Sequence, residues 1–287
     1  MSDYLTKWSL TRRKVFTKCA RRFAIKYLYD SKKLEGKKMQ SNRVSDWDLM
    51  IKTTRSTFFD LMKDAHLGKS WSENLLKSRL HFELITNLAN SKSPKIAKWR
   101  KEYLLDLGIN RIKKLVKQKI IRKLIEQKIT NWSVQSRIKP TSMGHIEVYC
   151  SPDIVYKLNN KWHLVRVNFQ SEKNQPYIDL ELCSMLLWSK KNQYLPDIDN
   201  KFIIHGISFD KGNWCQKSII PSKNMLQEVK QLLEKDVHQM NALNRFFSRT
   251  LNPNDLPMAK STLYCKRCPY RQNCPKLSEP NTEIQDS

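Results

Sequence analysis

Three thiols near the end of the chain, Cys265, Cys268 and Cys274, are spaced C-x2-C-x5-C in a polar run that also carries Pro269 and Pro275. Thiolates are the soft ligands that hold zinc or iron, and three held this close form a tetrahedral set lacking one member. The best candidate for the fourth is Cys19, in Lys18-Cys19-Ala20-Arg21 near the other terminus, so that one inorganic centre would fasten the two ends of the chain together. A C-x2-C pair suits zinc as well as iron. The x5 spacing is unusual for a zinc finger, no His-x3-5-His pair lies nearby, and disulfide pairing would strand one of the three thiols. The spacing puts an iron-sulfur cluster first, with zinc and plain surface thiols as the alternatives.

Composition narrows the partners. Lys and Arg total 53 against 27 acidic residues, a formal charge of +26, and such an excess favours a polyanionic partner, nucleic acid ahead of a membrane surface. Codon bias toward lysine explains part of the excess but not the shortage of balancing acids. A chain of 287 residues with 40% hydrophobic content can bury a large core. Met1 to Arg13 has no apolar core of a signal peptide and no apolar run is long enough to span a bilayer, so the expectation is a soluble, cytoplasmic protein with no membrane partner. In that reducing setting cysteines serve as ligands or as core, and Cys150, Cys183 and Cys215, inside apolar segments, are expected in the core.

The elements that would position these groups follow from periodicity. Residues 9 to 30 have helical spacing and carry Cys19, and further helices are expected over about 45 to 65, 72 to 92 and 109 to 130. In the last, Ile112, Val116, Ile120 and Leu124 recur every fourth residue, leaving Arg111, Lys113, Lys114, Lys117, Arg122 and Lys123 to point away. Such a face can track phosphates, although a merely solvated helix reads the same way. After Pro140 the period changes to two: Ile146 to Tyr149, Asp153 to Leu158 and Trp162 to Phe169 read as strands, with a tight turn at Asn159-Asn160. A helix over about 178 to 190, a hairpin of strands 202 to 209 and 214 to 220, and a helix over about 222 to 247 complete the pattern. The domain reading is a helical region 1–140, an α/β core 141–250, a cysteine-bearing segment 251–276 and a disordered tail 277–287.

Helix, three strands, helix, two strands, framed by Cys19 and the cysteine triplet, resembles the iron-sulfur branch of the PD-(D/E)XK nuclease superfamily. That branch includes RecB-like exonucleases, the AddB nuclease domain and CRISPR-associated spacer-processing exonucleases. The resemblance implies an α/β fold with a restriction-endonuclease-like core, a mixed central sheet flanked by helices, and a structural cluster of the 4Fe-4S type on Cys19, Cys265, Cys268 and Cys274. In the family a helix carries a metal-binding His, which His81 in Arg79-Leu80-His81-Phe82-Glu83 matches, with Lys77 where a glycine is usual. The motif Asp matches Asp153 in Ser151-Pro152-Asp153. The next strand should read acid-x-Lys, but Leu164-Val165-Arg166-Val167-Asn168 puts Arg166 at the acid and Asn168 at the lysine. The helix that normally offers Gln-x-x-x-Tyr offers Glu181 and Met185.

These departures bear on the chemistry. Nucleases of this kind hold Mg or Mn between carboxylates and a His, and the metal generates hydroxide and stabilises the phosphorane. A doubly charged cation 4 Å from a guanidinium is opposed by about 8 kcal/mol at an effective dielectric of 20. Arg166 therefore competes with the metal, while Asn168 lacks the charge of lysine. Two function classes follow. One is a non-catalytic, DNA-binding pseudo-nuclease subunit of a DNA-processing or defence complex, with Arg166 lining the old cleft and a helicase or nuclease partner supplying activity. The other is an active metal-dependent DNA nuclease using His81, Asp153 and a migrated Glu181, with Lys173 in place of the missing amine. An RNA-binding protein is a third reading, supported by charge and aromatics alone.

Overall fold

The computed structural model describes residues 6–29, 45–91, 96–170, 178–259, 261–266, 268–271 and 274. Lys173, the tail 277–287 and the polar stretch 31–43 lie outside them. The chain is mixed α/β and divides into two compact units, one from 1–43, 144–146 and 232–287, the other from 44–143 and 147–231.

The first unit joins the two ends of the chain. Strand β1 (Thr6–Trp8) leads into helix α1 (Leu10–Lys18), which Ser9 caps by accepting from the Arg12 N–H. The helix expected without interruption over 9 to 30 breaks at Cys19, whose extended backbone (φ −164°, ψ 111°) ends α1 and starts α2 (Ala20–Ala24). A π-helical turn follows at Ile25–Tyr29. Cys19 thus occupies a helix junction and not a helix face. Buried Asp236, on the long helix α8 (Lys223–Thr250), receives Trp8 Nε1 at 3.0 Å and Arg13 Nε at 2.7 Å. The short helix α9 (Thr262–Lys266) carries Cys265.

The second unit is built on helices α3 (Asp46–His66), α4 (Glu73–Asn90), α5 (Lys98–Val116) and α6 (Lys119–Ile125). The helix expected over 109 to 130 is two helices, because Val116 and Ile120 stay only partly buried while Ile112, Ile121 and Leu124 go fully under, and one straight helix does not present that set. Arg111, expected to point away, is buried instead: it donates to the Phe169 carbonyl at 3.0 Å and lies over the rings of Trp47 and Phe209. The planar, weakly hydrated guanidinium is the one cation that stacks well enough to be held there.

Strands β2 (Trp132–Val134), β3 (Thr141–Met143), β4 (Ile146–Val148), β5 (Ile154–Leu158), β6 (Lys161–Asn168), β7 (Phe202–Asp210) and β8 (Asn213–Ile219), with α7 (Ile178–Ser189) between β6 and β7, complete the unit. Five of them form a mixed sheet in the order β2-β5-β6-β7-β8. Its neighbours are antiparallel except β6 and β7, which run parallel as a helical crossover requires. The β5–β6 hairpin turns on Asn159 and Asn160, both at positive φ. Strand β2 was not foreseen in a region read as helical; three residues are too few to show a period. Val165, Val167 and Ile207 pack against Phe58, Met62, Ile112 and Leu124 of the helical layer. Successive strand residues face opposite ways, so Arg166 points to the other face, which α7 covers. Gly206, paired with Arg166 across β6–β7, lets α7 approach: a Cβ there would stand 2.9 Å from Leu182 Cδ1.

Candidate functional site

Asp153, just before β5, has a side chain only 1% exposed and is gripped by charge from three directions. Arg137 donates Nε to Oδ1 at 2.5 Å and Nη2 to Oδ2, a bidentate fork, and also donates to the Val167 carbonyl at 3.0 Å. Arg55 of α3 donates Nη2 to Oδ1 at 3.3 Å. Arg166 Nη1 stands 3.9 Å from the same oxygen, and the Val167 N–H donates to Oδ2 at 2.7 Å. The loop that brings Arg137 here is fixed by the sheet: the Gln135 N–H donates to the Asp153 carbonyl at 2.9 Å, and Ser151 Oγ donates to the Ser136 carbonyl at 2.8 Å.

Arg166 is 4% exposed and lies between two acids, its Nε 3.4 Å from Glu181 Oε1 on α7. That contact lacks hydrogen-bond geometry, so Nε is buried without a hydrogen-bond partner. Burial alone would push the Asp153 carboxyl up, but Arg137, Arg166 and Arg55 together hold it at about 2. Burial pushes the Arg166 guanidinium down, and the nearby charge of Arg137 adds to that. Both groups remain charged at neutral pH, as ion pairs in a dry site must be to hold each other.

The sequence candidates are therefore partly gathered. Asp153, Arg166 and Glu181 share one cluster, while Asn168 lies two residues further along β6 and is only partly buried. His81 is exposed on α4, and among the described residues no hydrogen bond or ion pair links it to the cluster. Arg55 and Arg137 were missed. A lone Arg on an amphipathic helix and another in a polar loop give no sequence signal until the fold sets them around one carboxylate.

The expected phosphate-tracking lysines are dispersed. Lys113 pairs with Glu73 at 2.7 Å, Lys114 donates to the Gly212 carbonyl at 2.7 Å, and Lys117 and Arg122 are exposed, Arg122 at 3.9 Å from Glu126. Lys123 is half-buried on α6. The break after Val116 places Lys117 between helices, so these residues do not form one uninterrupted stripe.

In the first unit the Cys19 thiol accepts from the Arg22 N–H at 3.4 Å, and Arg21 Nη1 donates to Cys274 Sγ at 3.7 Å. Arg21 Nη2 also donates to the Asn254 and Leu256 carbonyls, at 2.6 and 3.1 Å, tying α2 to the segment before the cysteines. Burial pushes the Cys268 thiol up, and the neighbouring Cys19 and Cys274 thiols push it the same way while Arg22 opposes them. All four thiols are reduced and half-buried. Thiols from both chain ends thus sense one another, although among the described residues no three Cys, His, Asp or Glu side chains are arranged to hold a metal ion. Cys150 and Cys183 are buried as expected; Cys215 is exposed, because it alternates on edge strand β8 with the buried Trp214.

No family model matches the chain, and no curated protein matches it. A solved structure titled "Crystal structure of SSO0001" is similar at 15% identity, over 62% of this chain and 79% of that one, with a TM-score of 0.27. No helix among the described residues is long and apolar enough to cross a membrane.

Proposed function

We propose that the chain is a DNA-binding, PD-(D/E)XK nuclease-like protein whose cleavage site has been replaced by a charge cluster. The observation that carries this reading is the occupation of both Asp153 carboxylate oxygens by guanidinium groups, Arg137 above all, with Arg166 at the acid position beside Glu181. A carboxylate that ligates a divalent cation must present a free lone pair to it, and each guanidinium within a few ångströms repels that cation. Fixed positive charge does here what a metal does in the nucleases that the sequence resembles: it neutralises Asp153. It generates no hydroxide. Binding to DNA rests on the charge of +26, and the partner that cuts or unwinds is a separate protein.

The second part of the reading is a structural iron-sulfur cluster held by Cys19, Cys265, Cys268 and Cys274. Support comes from the donor set, four thiols from two chain ends of which Cys268 is influenced by two others, and from the Arg21 and Arg22 donors directed at their sulfurs. N–H donors to cluster thiolates are a usual way of stabilising them. The group would supply a crosslink, and zinc would supply the same one.

Purified protein tests the first part: binding of single- and double-stranded DNA should fall steeply with salt and should not require magnesium or manganese. Binding that is indifferent to salt, or that requires a divalent metal, would remove it. The active-nuclease reading keeps one favourable fact, that Glu181 does reach the Asp153 cluster. It reaches it through Arg166.

A further inference from the structure

We infer that Arg55 and Arg137, held side by side on Asp153, form a binding site for one backbone phosphodiester of a nucleic acid. This deepens the DNA-binding reading above and rests on it. It also moves the contact away from Arg166, the residue that the sequence singles out.

Three guanidinium groups, Arg55, Arg137 and Arg166, face two carboxylates, Asp153 and Glu181, so the cluster keeps one positive charge in excess. That matches the single negative charge of a phosphodiester. Exposure decides which groups meet it. The Arg166 and Asp153 side chains are 4% and 1% exposed, whereas those of Arg137 and Arg55 are 29% and 37% exposed. The carboxylate and Arg166 therefore form the floor of the site, and the other two guanidinium groups form its open side.

The open side has unused donors. Arg55 spends only Nη2 on Asp153, which leaves Nη1 uncommitted. Its guanidinium is fixed over the Phe59 ring at 5.2 Å, so the fork is oriented before any ligand arrives. Arg137 is braced by Asp153 and by the Val167 carbonyl, which leaves Nη1 uncommitted. Two planar forks fixed by a shared buried carboxylate lose little entropy when an anion docks, and charge-assisted bonds from such forks are the strong kind. Glu181, 15% exposed behind Arg166, sets a limit: a more highly charged anion would exceed the single excess positive charge and be repelled by this carboxylate.

The test is fluorescence anisotropy with a labelled single-stranded oligonucleotide across a salt series, comparing wild type, Arg55→Gln, Arg55→Lys and the surface change Lys201→Gln. Arg55→Gln is chosen because it leaves the Arg137–Asp153 fork in place, and circular dichroism establishes that it folds. We expect Arg55→Gln to weaken binding about tenfold and to flatten the logarithmic salt dependence by about one counterion. Arg55→Lys should recover the slope but not the affinity, and Lys201→Gln should change affinity less than threefold. Replacing one phosphodiester at a time with a neutral methylphosphonate should weaken wild type at one linkage and leave Arg55→Gln indifferent there. A folded Arg55→Gln with wild-type affinity and slope overturns the site while leaving DNA binding intact. Absence of any wild-type binding at low salt overturns both.

Discussion

Arg137 lays both arms of its guanidinium fork on the two oxygens of Asp153, inside a sheet where the sequence pattern gives Asp153 no partner but Arg166. The carboxylate remains ionised because three cations outweigh its burial. Its folded-state value, about 2, is below the ordinary 3.8, so the stability it adds is fully present above pH 4 and is lost as pH falls toward 2. The contribution at neutral pH is about 2 kcal/mol. Urea unfolding of wild type should therefore show a steeper loss between pH 4 and pH 2 than Asp153→Asn, whose stability in this window should be flatter.

Truncating Arg137 should cost more than truncating either other arginine, because only Arg137 makes two hydrogen bonds to the buried acid. Arg137→Ala should destabilise the second unit by about 3 to 5 kcal/mol, the range for leaving a buried charge without its main partner. Joint replacement Arg137→Leu with Asp153→Asn should recover part of that loss, as denaturant midpoints would record.

A stacked ladder crosses the sheet at Tyr156, His163 and His205, with His163 Nδ1 and His205 Nε2 2.8 Å apart and His205 Nδ1 2.8 Å from Ser218 Oγ. Burial, with the neighbouring His163 adding to it, pushes the His205 imidazole down to about 4. A depressed histidine favours the neutral form, so its share of stability is present above about 6.5 and declines as pH falls toward 4. Ring-proton resonances in an NMR titration should place the His205 midpoint about two units below the ordinary histidine value of 6.5.

Strands β4 to β8, the paired Asn turn and the helix before β7 were legible because each follows a period or a turn preference over enough residues to be read. The helix break at Cys19 was not, since the apolar spacing continues across it and the interruption is one extended residue that caps α2 through its sulfur. Arg111 was misjudged for a similar reason: helical phase put it outward, but Trp47, Phe209 and the Phe169 carbonyl come from distant parts of the chain. The same holds for the site. Asp153, Arg166 and Glu181 lie on consecutive core elements that a motif can align, whereas Arg55 and Arg137 reach Asp153 from 98 and 16 residues away without a pattern.

Gly108 shows two local effects of opposite sign. Alanine in the middle of α5 gains about 1 kcal/mol of helix propensity, yet its Cβ would stand 2.7 Å from Thr54 Oγ1 and 2.9 Å from Leu80 Cδ2, in a layer where both residues are fully buried. Overpacking of that kind costs about 1 to 3 kcal/mol and should win. Gly108→Ala is expected to lower the thermal midpoint.

Replacement of Cys19, Cys265, Cys268 or Cys274 by Ala should each remove bound iron or zinc from the purified protein and lower its soluble yield, while Cys150→Ala, Cys183→Ala and Cys215→Ala should leave metal content unchanged. Elemental analysis reads this directly. Full metal content in Cys19→Ala would detach the N-terminal thiol from the set.

The most direct measurement of the central claim is manganese-dependent cleavage of end-labelled single- and double-stranded DNA, run on denaturing gels with wild type, Glu181→Ala and the double change Arg166→Asp, Asn168→Lys. The arginine-filled pocket predicts no metal-dependent products from wild type under conditions where it binds the same DNA. Robust cleavage by wild type that disappears in Glu181→Ala would contradict it and establish the migrated-acid nuclease.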